Sequence, residues 1–591
     1  MKTIRLQTTL YGINTIAYIL QSREVKDVAE VPFSDVVSSF RTQFVIPVWQ
    51  RLYAWDAKEW ADLWEDLWAV YEKQAKGEPA EHFLGPVVLK TVEEKIGEIT
   101  RRIIIDGQQR LTTLILLLAV IRNRAKDRGD NKLVKQIEEH FLFNEDATKS
   151  EDRAKLRLTK ADREAFDQII SGEDPSSSDA SQLIPAYGFF TELLETFKGK
   201  YDLSKLFDTI RKLKLVTMRL DEKDNPNRIF ETLNYRGKEL AQSDLVRNLF
   251  MMSVRDDTKA EHAYNHTWLP MEQGFGVTTR ERTSNLELFL RHYLTMIKSA
   301  TVKKENVYAE IRERVKNADE GHTLEELRAI GSYAKYHQRL LFPSTVHEPG
   351  IAEGLRRLNE FDFTVHYPFT MKVYHAYESR IVSLDEFVSI LRTIESYVIR
   401  RYFGKLPTNA LNKLFASLCS LPDKDISSAL VKELKAKESR STQYWPLDAE
   451  FRESFESFPI YQDSDWRCWF VLATLEQSFK HPEPIQFNHL TVEHVLPETI
   501  TDEWKRYLGD NWELVFNQYV HTAGNLTLIA GPPNSSIQQD LFKDKKAKWY
   551  SKSNVELTKE LAAKWNEWKE GDIKKRAGIL ADRAVEIWKR S

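Results

Sequence analysis

The stretch that decides the fold of the N-terminal half is Arg102-Ile103-Ile104-Ile105-Asp106-Gly107-Gln108-Gln109-Arg110-Leu111-Thr112-Thr113-Leu114-Ile115. Its three consecutive isoleucines are β-branched and apolar, which is typical of a buried strand. From Leu111 onward, apolar residues recur three and four positions apart, which is typical of a helix. The sequence therefore predicts a strand that ends at Asp106 and a helix that begins directly after Gly107.

The flanking segments extend this pattern into a mixed α/β domain. Phe83–Leu89 is apolar and is separated from the isoleucine strand by polar residues 93–97, so the two segments predict a β-hairpin. Lys214–Leu220 predicts a further strand, whereas most of residues 126–215 have helical periodicity. Residues 174–179 are rich in serine and acidic residues and predict an exposed loop.

The junction after the isoleucine strand has the chemistry of a phosphate site. A helix N-terminus presents unpaired backbone N–H groups and the positive end of the helix dipole, and both favour an anion. Arg110 adds a planar guanidinium, Thr112 and Thr113 add hydroxyls, and Gly107 lets the backbone approach a ligand closely. Asp106 is suited to hold Mg²⁺ or to orient a water or a ribose hydroxyl. In the alternative interpretation, Asp106 caps the helix and Arg110 pairs with a carboxylate.

A second segment, Phe44–Trp55, places apolar and aromatic residues around a Gln-Arg pair. Gln and Arg side chains bind base edges or phosphates, and the rings of Trp49, Tyr53 and Trp55 are suited to stack on bases. Alternatively, the aromatic residues belong to the core and Arg51 completes the phosphate site. We therefore predict Gln50 and Arg51 as ligand-binding residues.

Near the C-terminus, three short motifs together suit phosphodiester hydrolysis. This reaction needs an activated water, stabilisation of a pentavalent phosphorus and help for the leaving alkoxide. One histidine that acts as a base and one divalent metal held by oxygen ligands meet these needs. The motifs are Glu493-His494-Val495-Leu496-Pro497, Gly524-Asn525-Leu526-Thr527-Leu528 and Asn534.

The residue types in these motifs predict their roles. His494 is the predicted general base, and Glu493 and Asn534 are the predicted metal ligands. Asn525 lies in a turn before an apolar strand, where its amide can fix the loop that orients His494. No Cys-X-X-Cys pair occurs, so a structural zinc site of that kind is not expected.

Further candidates lie around these motifs. His521 is another candidate for the site and His489 a weaker one, and the alternative is that either is a surface or packing residue. Lys543, Lys545 and Lys546 belong to a lysine-rich run that we predict to bind DNA phosphates. The alternative is a solvated helix face. The run matters because the net charge of the chain is −3, so DNA binding requires local clusters of positive charge.

The composition limits the class of protein. A chain of 591 residues is too long for one core, so about two to four domains are expected. Its two cysteines, Cys419 and Cys468, argue against a disulfide scaffold and favour a reducing cytoplasm. The longest apolar run, Leu114–Ile121, is too short to span a bilayer, and the first residues lack a signal-peptide core. We therefore expect a cytoplasmic protein without a membrane partner.

At these residues the chain resembles the GmrSD-type, modification-dependent (type IV) restriction endonucleases. The N-terminal part is similar to the GmrS-like domain, which is related to ParB and sulfiredoxin, and the C-terminal part to the GmrD-like HNH (His-Me finger) domain. The residues that carry the resemblance in the N-terminal part and the middle are Ile46–Arg51, Asp106–Thr113, Phe230–Asn234, Gly237, Leu240 and Glu395–Arg401. Those in the C-terminal part are Glu493–Pro497, Gly524–Leu528, Asn534, Phe542 and Lys545.

The resemblance implies a mixed α+β, predominantly helical protein with three regions. Residues 1–260 would form a ParB/sulfiredoxin-like α/β domain that binds nucleotide and senses DNA. Residues 261–440 would form a helical linker or scaffold. Residues 441–591 would form a ββα-metal (HNH) nuclease domain.

The resemblance also implies the ligands and the reaction. Asp106, Gly107, Gln108, Gln109 and Arg110 would bind and hydrolyse a nucleoside triphosphate, with the choice between ATP and GTP left open. The nuclease site would comprise the C-terminal motif residues and Mg²⁺ or Mn²⁺. The substrate would be double-stranded phage DNA with modified bases, such as hydroxymethylated or glucosylated cytosine, or with a phosphorothioate backbone. A homodimer would bring two nuclease sites to two strands, but the sequence leaves the oligomeric state open.

Two residues depart from the pattern of HNH enzymes. Glu493 stands where many of these enzymes have Asp, and Asn534 where many have His. Both side chains retain oxygen atoms that can bind Mg²⁺ or Mn²⁺. The amide of Asn534 is less suited to softer metals.

Three hypotheses follow from the sequence. The first is a nucleotide-dependent, metal-dependent endonuclease that restricts modified foreign DNA, with His494, Asn525 and Asp106 as catalytic residues. The second is a nucleotide-gated sensor or effector that binds modified DNA without cutting it. The third is a phosphotransferase, which the lack of a cysteine near Asp106 makes weaker.

Overall fold

The protein is described by a computed structural model. Among the residues that it describes, six strands form a sheet in the N-terminal part, and Asp106 is the last residue of one of them. The strands of the described residues are β1 (Asp27–Pro32), β2 (Thr42–Val45), β3 (Phe83–Thr91), β4 (Thr100–Asp106), β5 (Leu156–Arg157), β6 (Lys214–Leu220), β7 (Leu490–His494) and β8 (Leu526–Ala530). The order in the sheet is β1-β6-β3-β4-β2-β5. β7 and β8 form a separate antiparallel pair near the C-terminus.

The chain folds as two compact units, Met1–Glu287 with Glu305–Gly331 and Leu288–Lys304 with Ser332–Ser591. The region predicted as a helical middle, residues 261–440, is thus divided between them. The structure describes residues 27–91, 98–175, 182–197, 199–220, 241–479, 485–530 and 539–590. Outside these ranges lie the predicted turn 93–97, residues 176–179 of the predicted loop, the block Phe230–Leu240 and Asn534.

The predicted strands are confirmed, and their register defines one functional edge. β3 and β4 form the predicted antiparallel hairpin, with Val88 opposite Asp106, and β6 lies parallel to β3. β2 runs parallel to β4 on one side and to β5 on the other. The carboxyl ends of β2, β4 and β5 therefore meet at the same edge, which is the edge where ligands bind in parallel sheets.

Helices make up most of the described chain. In the N-terminal half they are α1 (Phe33–Val37), α2 (Ala57–Ala75), α3 (Gln108–Asp127), α4 (Asn131–Ile137), α5 (Lys160–Ser171), α6 (Leu183–Thr196), α7 (Leu203–Arg211), α8 (Gln242–Ser253), α9 (Asp257–Ala263), α10 (Leu269–Gln273) and α11 (Thr279–Lys298). Next come α12 (Val307–Val315), α13 (Glu320–Leu341), α14 (Pro349–Glu360), α15 (Tyr367–Glu378), α16 (Leu384–Phe403), α17 (Leu411–Leu418) and α18 (Ile426–Lys435). The last ones are α19 (Asp448–Ser457), α20 (Ile460–Asp463), α21 (Asp465–Gln477), α22 (Asp502–Leu508), α23 (Trp512–Tyr519), α24 (Phe542–Lys548), α25 (Glu556–Lys564) and α26 (Glu570–Ile587).

The turn from β4 into α3 requires the glycine at position 107. Its φ angle is 95°, in the left-handed region, and a Cβ atom there would lie 2.9 Å from Cγ2 of Val87. Any other residue would be strained by both the backbone angle and the contact. α3 then passes through the core, where Leu114–Ile121 are all buried.

The fold class is confirmed as a mixed, mostly helical protein with an α/β sheet in its N-terminal part. Both cysteines, Cys419 and Cys468, are buried free thiols. Among the described helices, none has the length and apolar surface needed to cross a membrane.

Candidate functional sites

The N-terminal site lies at the shared edge of three parallel strands. Asp106 is the last residue of β4 and is half-buried, Ile46 follows β2 directly, and Thr159 is the second residue after β5. α3 begins at this edge, so its unpaired N–H groups face the space beyond the strands. Residues 102–115 thus form one side of this candidate site, as predicted, and the residues that follow β2 and β5 form the other sides.

The side chains of Gln109 and Arg110 form hydrogen bonds with backbone groups of the protein. Gln109 accepts a hydrogen bond from the N–H of Ala54 at 2.7 Å and donates one to the carbonyl oxygen of Leu52 at 3.2 Å. The guanidinium of Arg110 donates to the carbonyl oxygen of Pro86. These contacts fix the segments around the helix start, and ligand binding by Gln109 and Arg110 stays a prediction.

Arg51 is a largely buried cation at this edge. Burial lowers the pKa of Arg51, whereas the carboxylates of Asp244 and Asp106 favour its charged form. Gln50 is buried and donates to the carbonyl oxygen of Ile105 at 3.3 Å. Gln50 therefore ties the segment after β2 to β4, and Arg51 remains close to Asp106.

The aromatic residues of this segment confirm the alternative interpretation, in which they belong to the core. Trp49 and Tyr53 are buried. The hydroxyl of Tyr53 lies 2.7 Å from the hydroxyl of Thr113 and accepts a hydrogen bond from Trp60 at 2.9 Å. The buried rings of Trp49 and Tyr53 are not available to stack on nucleic-acid bases, whereas Trp55 is half-buried and packs against the core.

Gln108 and Thr112 face a small cavity beside the first turn of α3. Arg51 also lines this cavity, as do Thr159 and Asp162 from the start of α5. The sequence pattern does not mark Thr159, Asp162 and Asp244 as residues of this site. A Thr directly before a helical segment is a cap signal, but only the parallel pairing of β5 with β2 brings it to this site.

The C-terminal site is built on β7 and β8. His494 is the last residue of β7 and pairs with Leu526, the first residue of β8. Asn525, directly before β8, is fully buried, and its amide nitrogen donates to the carbonyl oxygens of Leu496 and Val520 at 2.9 Å each. Its amide oxygen accepts from the N–H of Leu496 at 2.7 Å. Asn525 thus holds the loop after His494, as its position in the sequence suggests.

His494 is buried next to a second histidine. Its Nε2 atom lies 3.4 Å from Nδ1 of His521, and its ring meets the ring of Tyr461 edge-on at a centroid distance of 4.5 Å. Burial, together with the nearby His521 and Lys545, lowers the pKa of His494 to about 3. The imidazole is therefore neutral near pH 7, which is the form that a general base requires.

The predicted metal ligand Glu493 lies in a different environment. Successive residues of a strand point to opposite faces, so Glu493 and His494 diverge. The Glu493 carboxylate is buried and accepts hydrogen bonds from Lys545 at 2.8 Å and from the hydroxyl of Tyr550 at 3.1 Å. Because the ammonium of Lys545 already neutralises this carboxylate, the arrangement does not fit a divalent cation at Glu493.

The lysine-rich run divides into buried and exposed members. Lys545 is 1% exposed and also donates to the carbonyl oxygen of His494 at 2.7 Å, so its prediction as a DNA-binding residue is wrong. Lys546 is half-buried and donates to the carbonyl oxygen of Trp565 at 2.8 Å. Lys543 is exposed and stays a candidate for DNA contact.

The turn before β8 rests on the last helix, α26. Arg576 is buried and donates through Nη1 to the carbonyl oxygens of Gly524 at 2.8 Å and Leu526 at 2.7 Å. The indole N–H of Trp568 donates to Oδ1 of Asn525 at 3.0 Å. A Cβ atom on Gly524 would lie 2.7 Å from the carbonyl oxygen of Ile573, so only glycine lets α26 pack this closely.

The block Glu395–Arg401 on α16 binds Trp588, the residue directly after α26. The carbonyl oxygen of Trp588 accepts hydrogen bonds from Ser396 at 2.9 Å and from Arg400 at 2.6 Å. The indole of Trp588 donates to Glu395 at 2.7 Å. α16 thereby anchors the C-terminal end of the helix whose beginning supports Asn525.

Two domain models of one family match the chain. The model of the GmrSD restriction endonuclease N-terminal domain matches residues 33–251, and the model of the C-terminal domain matches residues 445–583. The chain belongs to the GmrSD restriction endonuclease family. As a GmrSD restriction endonuclease it has domains that imply nuclease activity on DNA. No curated protein matches the chain.

Proposed function

We propose that this GmrSD restriction endonuclease cleaves modified foreign DNA, such as phage DNA, and that cleavage depends on a nucleoside triphosphate and a divalent metal. The observation that carries the nuclease assignment is the position of His494 at the end of β7, opposite the first residue of β8. Asn525 holds the loop that follows His494 through four hydrogen bonds to Leu496, Val520 and Trp568. A base that is fixed before the substrate arrives needs little reorganisation during the reaction.

In this proposal the C-terminal domain is an HNH nuclease. Two antiparallel strands, β7 and β8, are followed in the chain by a helix, α24, and this order supports a ββα finger. His494 would take a proton from the water that attacks the phosphodiester. The metal requirement rests on the family resemblance, with Asn534 as the remaining predicted ligand, and Mg²⁺ or Mn²⁺ would supply charge stabilisation when bound.

The N-terminal domain would bind and hydrolyse ATP or GTP at the edge formed by β2, β4 and β5. The start of α3 and the guanidinium of Arg51 together favour a polyphosphate. Asp106 would orient the hydrolytic water or hold a cation that accompanies the phosphates. A ParB/sulfiredoxin-like fold is part of this proposal, and the mixed parallel sheet supports it.

The test uses four matched DNAs: unmodified, hydroxymethylated, glucosylated and phosphorothioated. Each is incubated with wild type, His494→Ala and Asp106→Ala, with Mg²⁺ or Mn²⁺ and with or without ATP or GTP. We expect His494→Ala to lose cleavage and keep nucleotide hydrolysis, and Asp106→Ala to lose hydrolysis. Equal cleavage by wild type and His494→Ala would show that His494 is not the base.

A second candidate function is a nucleotide-gated sensor that binds modified DNA without cutting it. The ion pair between Glu493 and Lys545 favours this candidate, because it occupies a predicted metal ligand. Tight, nucleotide-dependent DNA binding without cleavage of any of the four DNAs would support it.

Light scattering of the same mixtures would show whether DNA brings two copies of the chain together.

A further inference from the structure

A small cavity lies between the first turn of α3 and the start of α5. Its polar lining includes Gln108 and Thr112 from α3, Thr159 and Asp162 from the start of α5, and Arg51 from the segment after β2, and the apolar side chains of Ile46 and Leu158 also line it. The two helices begin after β4 and β5, which are the neighbours of β2. The cavity therefore opens at the same sheet edge as the proposed nucleotide site.

Two polar atoms at this cavity are buried without a hydrogen-bond partner among the described residues. They are Oε1 of Gln108, a residue that is 8% exposed, and Oγ1 of Thr159, a residue that is 4% exposed. Unpaired buried acceptors lower stability, so they are rare in folded proteins unless a ligand or a water satisfies them.

The neighbouring residues show that the local packing can satisfy such groups. Both amide atoms of Gln109 are paired, with Ala54 and Leu52. Thr159 is the residue before α5, where threonine commonly caps a helix, yet its side chain makes no cap hydrogen bond. The unpaired atoms of Gln108 and Thr159 therefore point to a group that enters the cavity.

The size and chemistry of the cavity define that group. Two oxygen acceptors require a donor, and Thr159 can also donate through its own hydroxyl. The cavity has room for about one water molecule, so a single hydroxyl fits and a ring does not. We propose that Gln108 and Thr159 form a hydroxyl subsite that binds one ribose hydroxyl of the nucleoside triphosphate. This inference rests on the proposed nucleotide site. The subsite makes the protein selective for ribonucleotides.

The experiment measures the affinity of ATP and GTP and of their 2′-deoxy and 3′-deoxy forms. Wild type should bind the ribonucleotide about tenfold more tightly than one of the deoxy forms, the size expected for one lost hydrogen bond to a buried polar group. Thr159→Val and Gln108→Met should each weaken ribonucleotide binding by about the same factor and leave binding of that deoxy form unchanged.

Thr113→Val is the matched control. Its hydroxyl is also buried on α3, but it is paired with Tyr53 at 2.7 Å and with the carbonyl oxygen of Gln109 at 2.8 Å. Without nucleotide, Thr113→Val should lower the melting temperature, whereas Thr159→Val should leave it unchanged or raise it. Thr113→Val should also keep the preference for the ribonucleotide.

Two results would overturn the subsite and leave the nucleotide site in place. The first is equal binding of ribonucleotides and both deoxy forms by wild type, which would mean that the cavity holds a structural water only. The second is equal weakening of all forms in Thr159→Val. A wild type that binds none of the nucleotides would overturn the proposed nucleotide site together with the subsite.

Discussion

Nε2 of His494 lies 3.4 Å from Nδ1 of His521, and the ring of His521 stacks against Tyr461 with an interplanar angle of 10°. When two imidazole nitrogens share a hydrogen bond, one nitrogen donates and the other accepts. If His494 donates through Nε2, its Nδ1 keeps a lone pair and can act as the base. His521 would then select the tautomer of His494, as the orienting residue does in other base-assisted sites.

This relationship predicts that two substitutions at position 521 differ in their effect on DNA cleavage. Asn places its Oδ1 near the position of Nδ1 and can still accept, so His521→Asn should retain most of the cleavage activity. Phe preserves the stacking on Tyr461 but cannot accept, so His521→Phe should lower kcat by about tenfold or more with little change in KM. The measurement is steady-state cleavage of the preferred modified DNA at several metal concentrations.

The same pair of variants separates hydrogen bonding from packing and from metal binding. If His521 only packs against Tyr461, His521→Phe should be active and His521→Asn impaired. If it binds the metal, His521→Phe should require a higher metal concentration for half-maximal rate. Either outcome would contradict the orienting role.

Removing one partner of the buried ion pair between Glu493 and Lys545 should strongly lower the stability of the fold. Burial lowers the pKa of Lys545, and its hydrogen bonds to Glu493 and to the His494 carbonyl oxygen hold the ammonium in place. Lys545→Met would leave Glu493 buried without its cation, which typically costs about 3–5 kcal/mol. Chemical denaturation measures this loss. The double variant Lys545→Met/Glu493→Gln should recover much of it, and no recovery would argue against the ion pair.

Exposed and buried lysines of the same run should affect DNA binding differently. Lys543 is exposed, so Lys543→Gln should weaken binding of all DNA sequences and reduce the slope of log K against log salt by about 1. A matched substitution at exposed Lys552 tests whether the effect depends on position. If Lys543→Gln leaves the salt dependence unchanged, this end of α24 does not contact DNA.

The parts of the fold that the sequence predicts correctly depend on residues close together in the chain. The strand-to-helix switch at Gly107 and the loop-holding role of Asn525 follow from their immediate neighbours. The hairpin of β3 and β4 also joins adjacent segments. Local patterns of hydrophobicity and turn chemistry are sufficient in these cases.

The parts that were missed depend on distant pairings. Lys545 contacts Glu493, 52 positions away, and a lysine-rich helix gives no sign that one lysine is buried. Thr159 reaches the N-terminal site because β5 pairs with β2, and the order of strands in a sheet is not encoded by either strand alone. The anchoring of Trp588 by Glu395 spans 193 positions and could not be predicted for the same reason.

Two glycines near α26 provide a matched test of how this helix supports the turn before β8. Gly524→Ala would place a Cβ atom 2.7 Å from the backbone oxygen of Ile573, and backbone cannot move aside as a flexible side chain can. We expect a loss of about 1–3 kcal/mol in unfolding free energy and reduced cleavage. Gly571→Ala meets no atom within 4 Å and should stabilise the helix by about 0.5–1 kcal/mol. Equal effects at both positions would exclude the close contact as the cause.

Three buried histidines around Tyr367 predict that acid destabilises the protein. The rings of His292, His337 and His366 all meet the ring of Tyr367 edge-on, at centroid distances of 5.9, 5.3 and 5.0 Å. Burial lowers the pKa of His337 and of His366 to about 3 and lowers the pKa of His292 well below its usual value. Between pH 6.5 and pH 3 the unfolded chain therefore binds more protons than the folded chain.

The stabilising effect of a neutral buried histidine is thus complete above about pH 6.5 and decreases as the pH falls, by up to about 1.4 kcal/mol per pH unit for each residue. His366→Phe should make the dependence of unfolding free energy on pH shallower by about that amount between pH 6 and pH 4. At pH 8 the variant differs from wild type only through packing and the lost hydrogen bond to Thr370, so that pH provides the reference. Urea denaturation across the range measures the slope. An unchanged slope would mean that His366 is protonated in the folded protein or that acid unfolds another part first.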